Sequence, residues 1–260
     1  MNVRSHFAAV AALALLVLGP ATGWPQSPGR VVASTSWTAA FARAAGVAEV
    51  RVLAPYELRH PSEYEVKPSD LLAVRDADVV IYAGYEIMAK RIVEAADGTR
   101  ARLVRIDTRN DPATVAASLA VLGDAFGTRD IAAAYAKRVE EFFAGWREEL
   151  RRAGLAGLPV VAHTFQRPVA EALGFVVVGE FGPAPLEAAR IAALSKLTPA
   201  FVIDTWHNEI GRPLRETLMD APYVSWLNFP VDPAQPGLLD VLEENRARLA
   251  AAIRARVPVR

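Results

Sequence analysis

"RVLAPYELRHPSEYEVKPSDLLAVRDADVVIYAG", residues 51–84, sets a polar, proline-bounded loop between two apolar runs. The first run, within 49–55, stops at Pro55; the second, 78–84, is rich in β-branched residues and closes on Gly84. Both read as short strands. Between them Pro68, Ser69 and Asp70 mark a helix start. Proline suits a first turn, where its missing N–H is not needed, and the two polar side chains can satisfy free backbone N–H groups. Strand, helix and strand in this order form one unit of a parallel sheet with helices on its faces.

The rhythm extends in both directions. Residues 31–35 (VVAST) lead into the helical WTAAFARAAG, and 102–108 (RLVRIDT) follow the helical EIMAKRIVEAADG. It then breaks, because 112–154 show helical periodicity alone. Ile131, Tyr135, Val139, Phe142 and Trp146 recur at three- and four-residue steps, an apolar stripe expected to be buried against the lobes on both sides of it. Gly154 after Arg151 and Arg152 ends the pattern. A helix of roughly 24 residues is about 36 Å long at 1.5 Å per residue, too long for a crossover in one small sheet. Alternation resumes with strands at 158–165, 175–182, 200–207 and 223–230, and a last helix GLLDVLEENRARLAAAIRARV. The expected fold is α/β: two lobes, each with a parallel sheet of about four strands, joined by one long helix. The expected division is an N-terminal lobe at 24–128, a linking helix at 129–154 and a C-terminal lobe at 155–260.

Residues 1–23 are expected to be a signal peptide: Arg4 near the start, an apolar run from Phe7 to Leu18, and the small-residue ending Ala21-Thr22-Gly23. The run is short for a bilayer span. Export to the periplasm, with no stable membrane insertion after cleavage, follows. Removing 1–23 takes away Arg4 and no acid, so 29 basic and 29 acidic residues become 28 and 29, a net charge of −1. A near-neutral chain lacks the electrostatic footprint for nucleic acid. No cysteine is present, which excludes disulfides and thiolate metal sites. No GxGxxG, GxxxxGK[ST] or GxSxG pattern occurs, so neither a phosphate cradle nor a serine nucleophile elbow is expected.

Ligands of open parallel sheets bind beyond the C-terminal ends of the strands. His60 follows one expected strand, and His163 and His207 each end another. Asp232 follows the last strand, and Glu180 lies at the end of another. His60, His163, His207 and Asp232 together would suit a divalent metal, zinc first, with manganese or iron as alternatives. A histidine at a strand end also serves as a cap or a solvent-facing group, and no local HExxH signature is present. Trp37, Tyr82, Tyr85 and Trp206 are candidates to line a cleft.

The opening stretch resembles the metal-binding solute-binding proteins of bacterial zinc and manganese ABC importers. Pro61, Tyr64, Glu65, Pro68, Ser69, Asp70, Leu71, Ala77, Asp78 and Gly84 match that family's segment in order. The strand ending at His163 and the last helix agree with its layout. The resemblance implies a monomeric periplasmic solute-binding protein that takes a divalent metal, or a small metal complex, between its lobes and delivers it to a membrane permease. It performs no chemistry, and its long helix limits closure to a small tilt. The resemblance carries the family's third metal ligand to His163 and the carboxylate to Asp232. Ser62 stands where the family has its first histidine, and Ala113 in "NDPAT" where it has the second. His60 lies two residues before that first position, and His207 has no counterpart. The alternatives are an exported metal-dependent hydrolase, with Glu63, Glu86 or Glu180 as acid or base, and a metallochaperone or sensor.

Overall fold

The computed structural model describes residues 29–256. The expected signal peptide lies outside them. The N-terminal lobe is built from β1 (Val31–Ala33), α1 (Ser36–Ala44), β2 (Arg51–Val52), α2 (Pro68–Asp76), β3 (Val79–Tyr82), α3 (Ala89–Ala96), β4 (Arg102–Arg105) and α4 (Pro112–Phe126). The long α5 (Arg129–Arg152) follows. The C-terminal lobe is β5 (Pro159–His163), α6 (Arg167–Ala172), β6 (Val176–Phe181), α7 (Ala188–Leu194), β7 (Phe201–Thr205), α8 (Leu214–Thr217), β8 (Tyr223–Trp226) and α9 (Leu238–Arg256).

Both sheets are parallel throughout, in the orders β2-β1-β3-β4 and β6-β5-β7-β8. The order reverses between β1 and β3, and again between β5 and β7. Each reversal opens a crevice at the strand C-termini, because the loops on its two sides run in opposite directions. The central strands are buried on both faces, with Val31, Val80, Ile81, Val160, Val161 and Ile203 at 3% exposure or less. That is why they read as continuous apolar runs and not as alternations.

The helix starts follow their sequence signals. The Asp70 carboxylate accepts the Lys67 N–H at 2.9 Å, with Pro68 at the first position of α2. Asp111 caps α4 by accepting the Thr114 N–H at 3.0 Å. Gly127 then ends that helix at φ +70°, a left-handed conformation that glycine adopts without a Cβ penalty.

The linking helix is continuous, but its buried face differs from the expected stripe. Val139 and Trp146 are buried, Tyr135 and Phe142 are half-buried, and Ile131 is 51% exposed. Ala132, Phe143 and Leu150 are buried with them. The small Ala132 faces Gly123, where an added Cβ would stand 2.9 Å from the Ala132 methyl, so α4 and α5 meet through their smallest residues. One apolar core runs from the first sheet (Val31, Ile81) through Val139, Phe143 and Trp146 to the second (Val160, Ile203), and takes in Leu238 and Leu242 of α9. Trp146 packs on Trp226 of β8 at 5.7 Å between ring centroids.

Candidate functional site

The opening loop is pinned down by the residues that make it recognisable. The Tyr64 hydroxyl donates to Asp70 at 2.8 Å, to the same carboxylate that caps α2, and Asp70 is buried. A tyrosine six residues before an aspartate thus fastens the loop to its helix. The short turn Pro61–Glu63 is left to carry His60 outward from the sheet. His60 is exposed and faces the other lobe, with its ring 6.2 Å from that of His207.

At the crevice between β1 and β3 the buried Glu86 carboxylate takes three donors: Ser34 Oγ at 2.6 Å, Ala83 N–H at 2.9 Å and Gly84 N–H at 2.6 Å. These are the groups that would otherwise receive a ligand's anion. In the second lobe Glu180 is held by Thr164 at 2.8 Å and Arg167 at 2.9 Å, which keep its carboxyl below the usual range. Two of the three carboxylates named as acid or base candidates are thus committed to neighbours, and Glu63 is exposed on its turn.

Of the four expected metal donors, His60 and His207 have their rings 6.2 Å apart, whereas His163 is buried and Asp232 is exposed on a loop. His207 follows β7 and lies at the centre of the interface, stacked on Phe165 at 5.8 Å and 5.4 Å from Phe229. Its Nδ1 is 3.1 Å from Thr205 Oγ1. The Thr205 hydroxyl proton is given to Asn228 Oδ1 at 2.5 Å, so Oγ1 accepts and His207 Nδ1 carries the hydrogen. That tautomer leaves the His207 Nε2 lone pair available. His163 is arranged the other way. Its Nδ1 accepts the Phe165 N–H at 3.1 Å, so the neutral ring carries its hydrogen on Nε2, which is buried without a hydrogen-bond partner. Nε2 lies against Gly182, where an added Cβ would come within 2.3 Å of it. Burial lowers both histidines from 6.5 to about 4; the Glu180 charge partly opposes this at His163, and His163, His60 and Arg59 reinforce it at His207. Asp232 is exposed on the β8–α9 loop and accepts the Ala234 N–H at 2.8 Å. Among the described residues, no three His, Asp or Glu side chains are gathered so as to hold a metal ion.

What the lobes do form is a cavity of about 820 Å³. The loops beyond β1, β2 and β3 contribute Thr35, Ser62 and Tyr85, the end of β4 and the loop after it contribute Arg105–Arg109, and the loops beyond β5, β7 and β8 contribute Phe165, His207 and Phe229. Trp37, from the first turn of α1, completes the wall. Two bridges tie the lobes. At the floor, Trp37 Nε1 donates to Asn110 Oδ1 at 3.3 Å, and Asn110 Nδ2 donates to the Asn228 carbonyl at 2.7 Å. At the mouth, Arg59 donates twice to the Trp206 carbonyl, at 3.2 and 2.6 Å, and lies over the Trp206 ring. Ser62 lines this cavity, whereas Ala113 opens onto a separate hollow beside Arg109 and Glu140. Trp37 and Tyr85 were legible as cleft candidates. Arg105, Phe165 and Phe229 were not, since each is a single residue at or just after a strand end with no pattern around it.

Residues 31–125 match the family model described as zinc-uptake complex component A, periplasmic. Over this segment the likeness to the zinc-uptake family is thereby shown. It extends in fold to both lobes. AdcAII of Streptococcus pneumoniae superposes with a TM-score of 0.68 at 17% identity, over 85% of this chain and 98% of that one. The laminin-binding adhesin Lmb of Streptococcus agalactiae gives 0.66 at 15% identity, over 88% and 99%. A Mn-bound periplasmic metal-binding protein of Candidatus Liberibacter asiaticus gives 0.62 at 12% identity, over 86% and 98%. Among curated proteins none matches in sequence. The zinc-uptake family binds solutes and is not a family of enzymes. Among the described residues, no helix is long and apolar enough to cross a membrane.

Proposed function

We propose that this protein is the periplasmic solute-binding subunit of an ABC importer, and that it carries a divalent transition metal as a small complex in the cavity between its lobes. The chain is exported by residues 1–23, acts as a monomer and delivers its cargo to a membrane permease. Solved structures of similar fold hold zinc, manganese or cadmium, which supports a metal as part of the cargo.

The observation that carries the reading is the size and make-up of the cavity. Six waters around an ion fill about 180 Å³ at about 30 Å³ each. A cavity of about 820 Å³ holds several times that and falls within the range of small organic ligand sites. His207, with its Nε2 lone pair, and the nearby His60 supply imidazoles for coordination positions that a chelator leaves open. His163 acts from behind this pair by fixing the Phe165 backbone, and Asp232 stands apart from it.

Untagged protein purified from periplasm without chelator tests this. The metal is measured by plasma mass spectrometry and the released small molecules by organic mass spectrometry. We expect metal and one organic molecule in equal amounts, both lost in His207→Ala. Metal at one equivalent with no organic partner would restore the bare-ion reading.

A further inference from the structure

The cavity walls have a chemistry that narrows the cargo. Five rings follow one another across both lobes: Tyr85 to Trp37 at 6.4 Å, Trp37 to Phe229 at 5.7 Å, Phe229 to His207 at 5.4 Å and His207 to Phe165 at 5.8 Å. Tyr85 and Phe165 are exposed although they are large and aromatic, and both face the cavity. Such a wall suits a planar π-system more than a hydrated ion.

The charged groups of the lining are Arg105, Arg109 and Asp107. Asp107 and Arg109 pair with each other at 2.8 Å. Arg105 donates its Nε to the Ala83 carbonyl at 3.1 Å, and among the described residues no carboxylate lies within ion-pair distance of it. It lies against Gly84, which has φ +92° and where a Cβ would meet Arg105 Nε at 2.5 Å. The absent side chain at position 84 therefore sets where the guanidinium sits. Two guanidinium groups and one carboxylate leave the lining with a net positive charge, since His207 is neutral at pH 7. A bare dication would be repelled there, whereas sites for bare divalent metals gather carboxylates or several imidazoles around the ion and no net positive charge. The N-terminal crevice cannot serve an anion through its backbone, because Glu86 already occupies those donors. Among the described residues of the lining, Arg105 is the oriented cation without a carboxylate partner.

We infer that the cargo is a planar aromatic chelate bearing carboxylate groups, and that Arg105 recognises a carboxylate by paired N–H donation while the ring wall holds its flat face. This rests on the reading of the cargo as a metal complex. Arginine suits the role because its planar fork matches a carboxylate in two parallel hydrogen bonds.

Titration calorimetry on chelator-treated full-length protein tests it with four probes: zinc alone, pyridine-2,6-dicarboxylate alone, the neutral one-to-one zinc pyridine-2,6-dicarboxylate, and the dicationic one-to-one zinc terpyridine, both planar chelates that leave coordination positions open. We expect the dicarboxylate complex to bind and the dicationic one not to bind. Arg105→Gln should weaken the dicarboxylate complex about tenfold to a hundredfold, the scale of a charge-assisted hydrogen-bond pair. Arg105→Lys should recover part of that loss, and its retained charge keeps the test open if the glutamine variant fails to fold. Equal binding of the two complexes, or unchanged affinity in both Arg105 variants, would overturn the inference and leave a metal-complex carrier standing. Tight binding of zinc alone, with no gain from the dicarboxylate, would overturn the inference and restore a bare ion. If metal-free dicarboxylate bound as tightly as its zinc complex, Arg105 recognition would stand and the metal in the proposed function would fall. No binding of any probe would end both.

Discussion

Gly182 and His163 are built against each other, and the pair shows what one residue can decide. Gly182 has φ +85°, and its missing Cβ leaves room for His163 Nε2. The imidazole cannot retreat, because Phe165 and Phe181 pack on it at 4.9 and 5.5 Å. Gly182→Ala should therefore cost about 1–2 kcal/mol for a left-handed alanine and about 1–3 more for the clash. Urea unfolding would read this as a lower midpoint at unchanged slope; an unshifted midpoint would show that the ring moves freely. The same burial predicts a pH dependence. In the unfolded chain His163 and His207 titrate near 6.5, whereas burial holds both near 4 in the fold. Above 6.5 both states are neutral and the full stability is present. As pH falls from 6.5 towards 4, only the unfolded chain takes up protons, so stability drops. Asp204, raised by burial, works in the opposite sense near the acid end. Metal-free protein should thus lose stability between pH 6.5 and 4.5, and His163→Asn, which keeps an acceptor for the Phe165 N–H, should lessen the slope. An identical slope in the variant would remove His163 from the account. The position of His163 at a strand end was legible in the sequence. Its tautomer was not, because that depends on a backbone N–H two residues later and on a glycine just after another strand.

At the scale of elements, the strands were legible and the helix face was legible only in part, for a common reason. A parallel strand is buried on both sides, so its whole run is apolar and needs no phase. A helix face needs a phase, and hydrophobicity alone marks the wrong start when a large residue begins the helix. Ile131 looks like core but covers Gly46 from outside, while the buried place one residue on belongs to Ala132, whose small size fits Gly123. Further along α5, Val139 and Trp146 satisfy both readings, and Phe143 and Leu150 are gained. Truncation should show the difference. Trp146→Ala should cost about 3–5 kcal/mol, since it removes a fully packed ring from the core and from Trp226. Ile131→Ala, half exposed, should cost about 1 kcal/mol. Chemical denaturation of both variants measures this, and equal losses would mean that the observed phase of α5 is wrong. The site follows the same logic. Tyr64 and Asp70 lie in one short segment and could be recognised together, whereas Arg105, Phe165, His207 and Phe229 lie at or beyond the ends of four strands in two sheets. They become neighbours only when the lobes face each other.

At the scale of the molecule, the lobes are joined on one side by packing and on the other by a few polar contacts. The shared core through α1, α4, α5 and α9 is apolar and interlocked, so it resists hinge bending. Across the cavity mouth the bond is Arg59, which reaches from the first lobe to the Trp206 carbonyl and to Glu209 at 3.5 Å. Arg59 is 45% exposed, so its ion pair is screened by salt and is weak on its own. The two N–H donations to one carbonyl and the stacking on Trp206 do not depend on that pair, and they hold the Trp206–Asn208 turn that carries His207. Arg59 thus joins the lobe bearing His60 to the turn bearing His207. Local opening at this mouth should be far less costly than global unfolding, since few apolar contacts cross it. Arg59→Ala should raise amide hydrogen exchange over residues 206–209 about three- to tenfold, the scale of an exposed charged contact, and leave the urea midpoint of the whole protein unchanged. Arg59→Lys should fall between, because one ammonium cannot replace a planar fork stacked on indole. If exchange at 206–209 stayed at the wild-type rate in Arg59→Ala, the floor bridge through Asn110 and Asn228 would be enough to keep the lobes together. The mouth contact would then have no part in holding His60 and His207 in register.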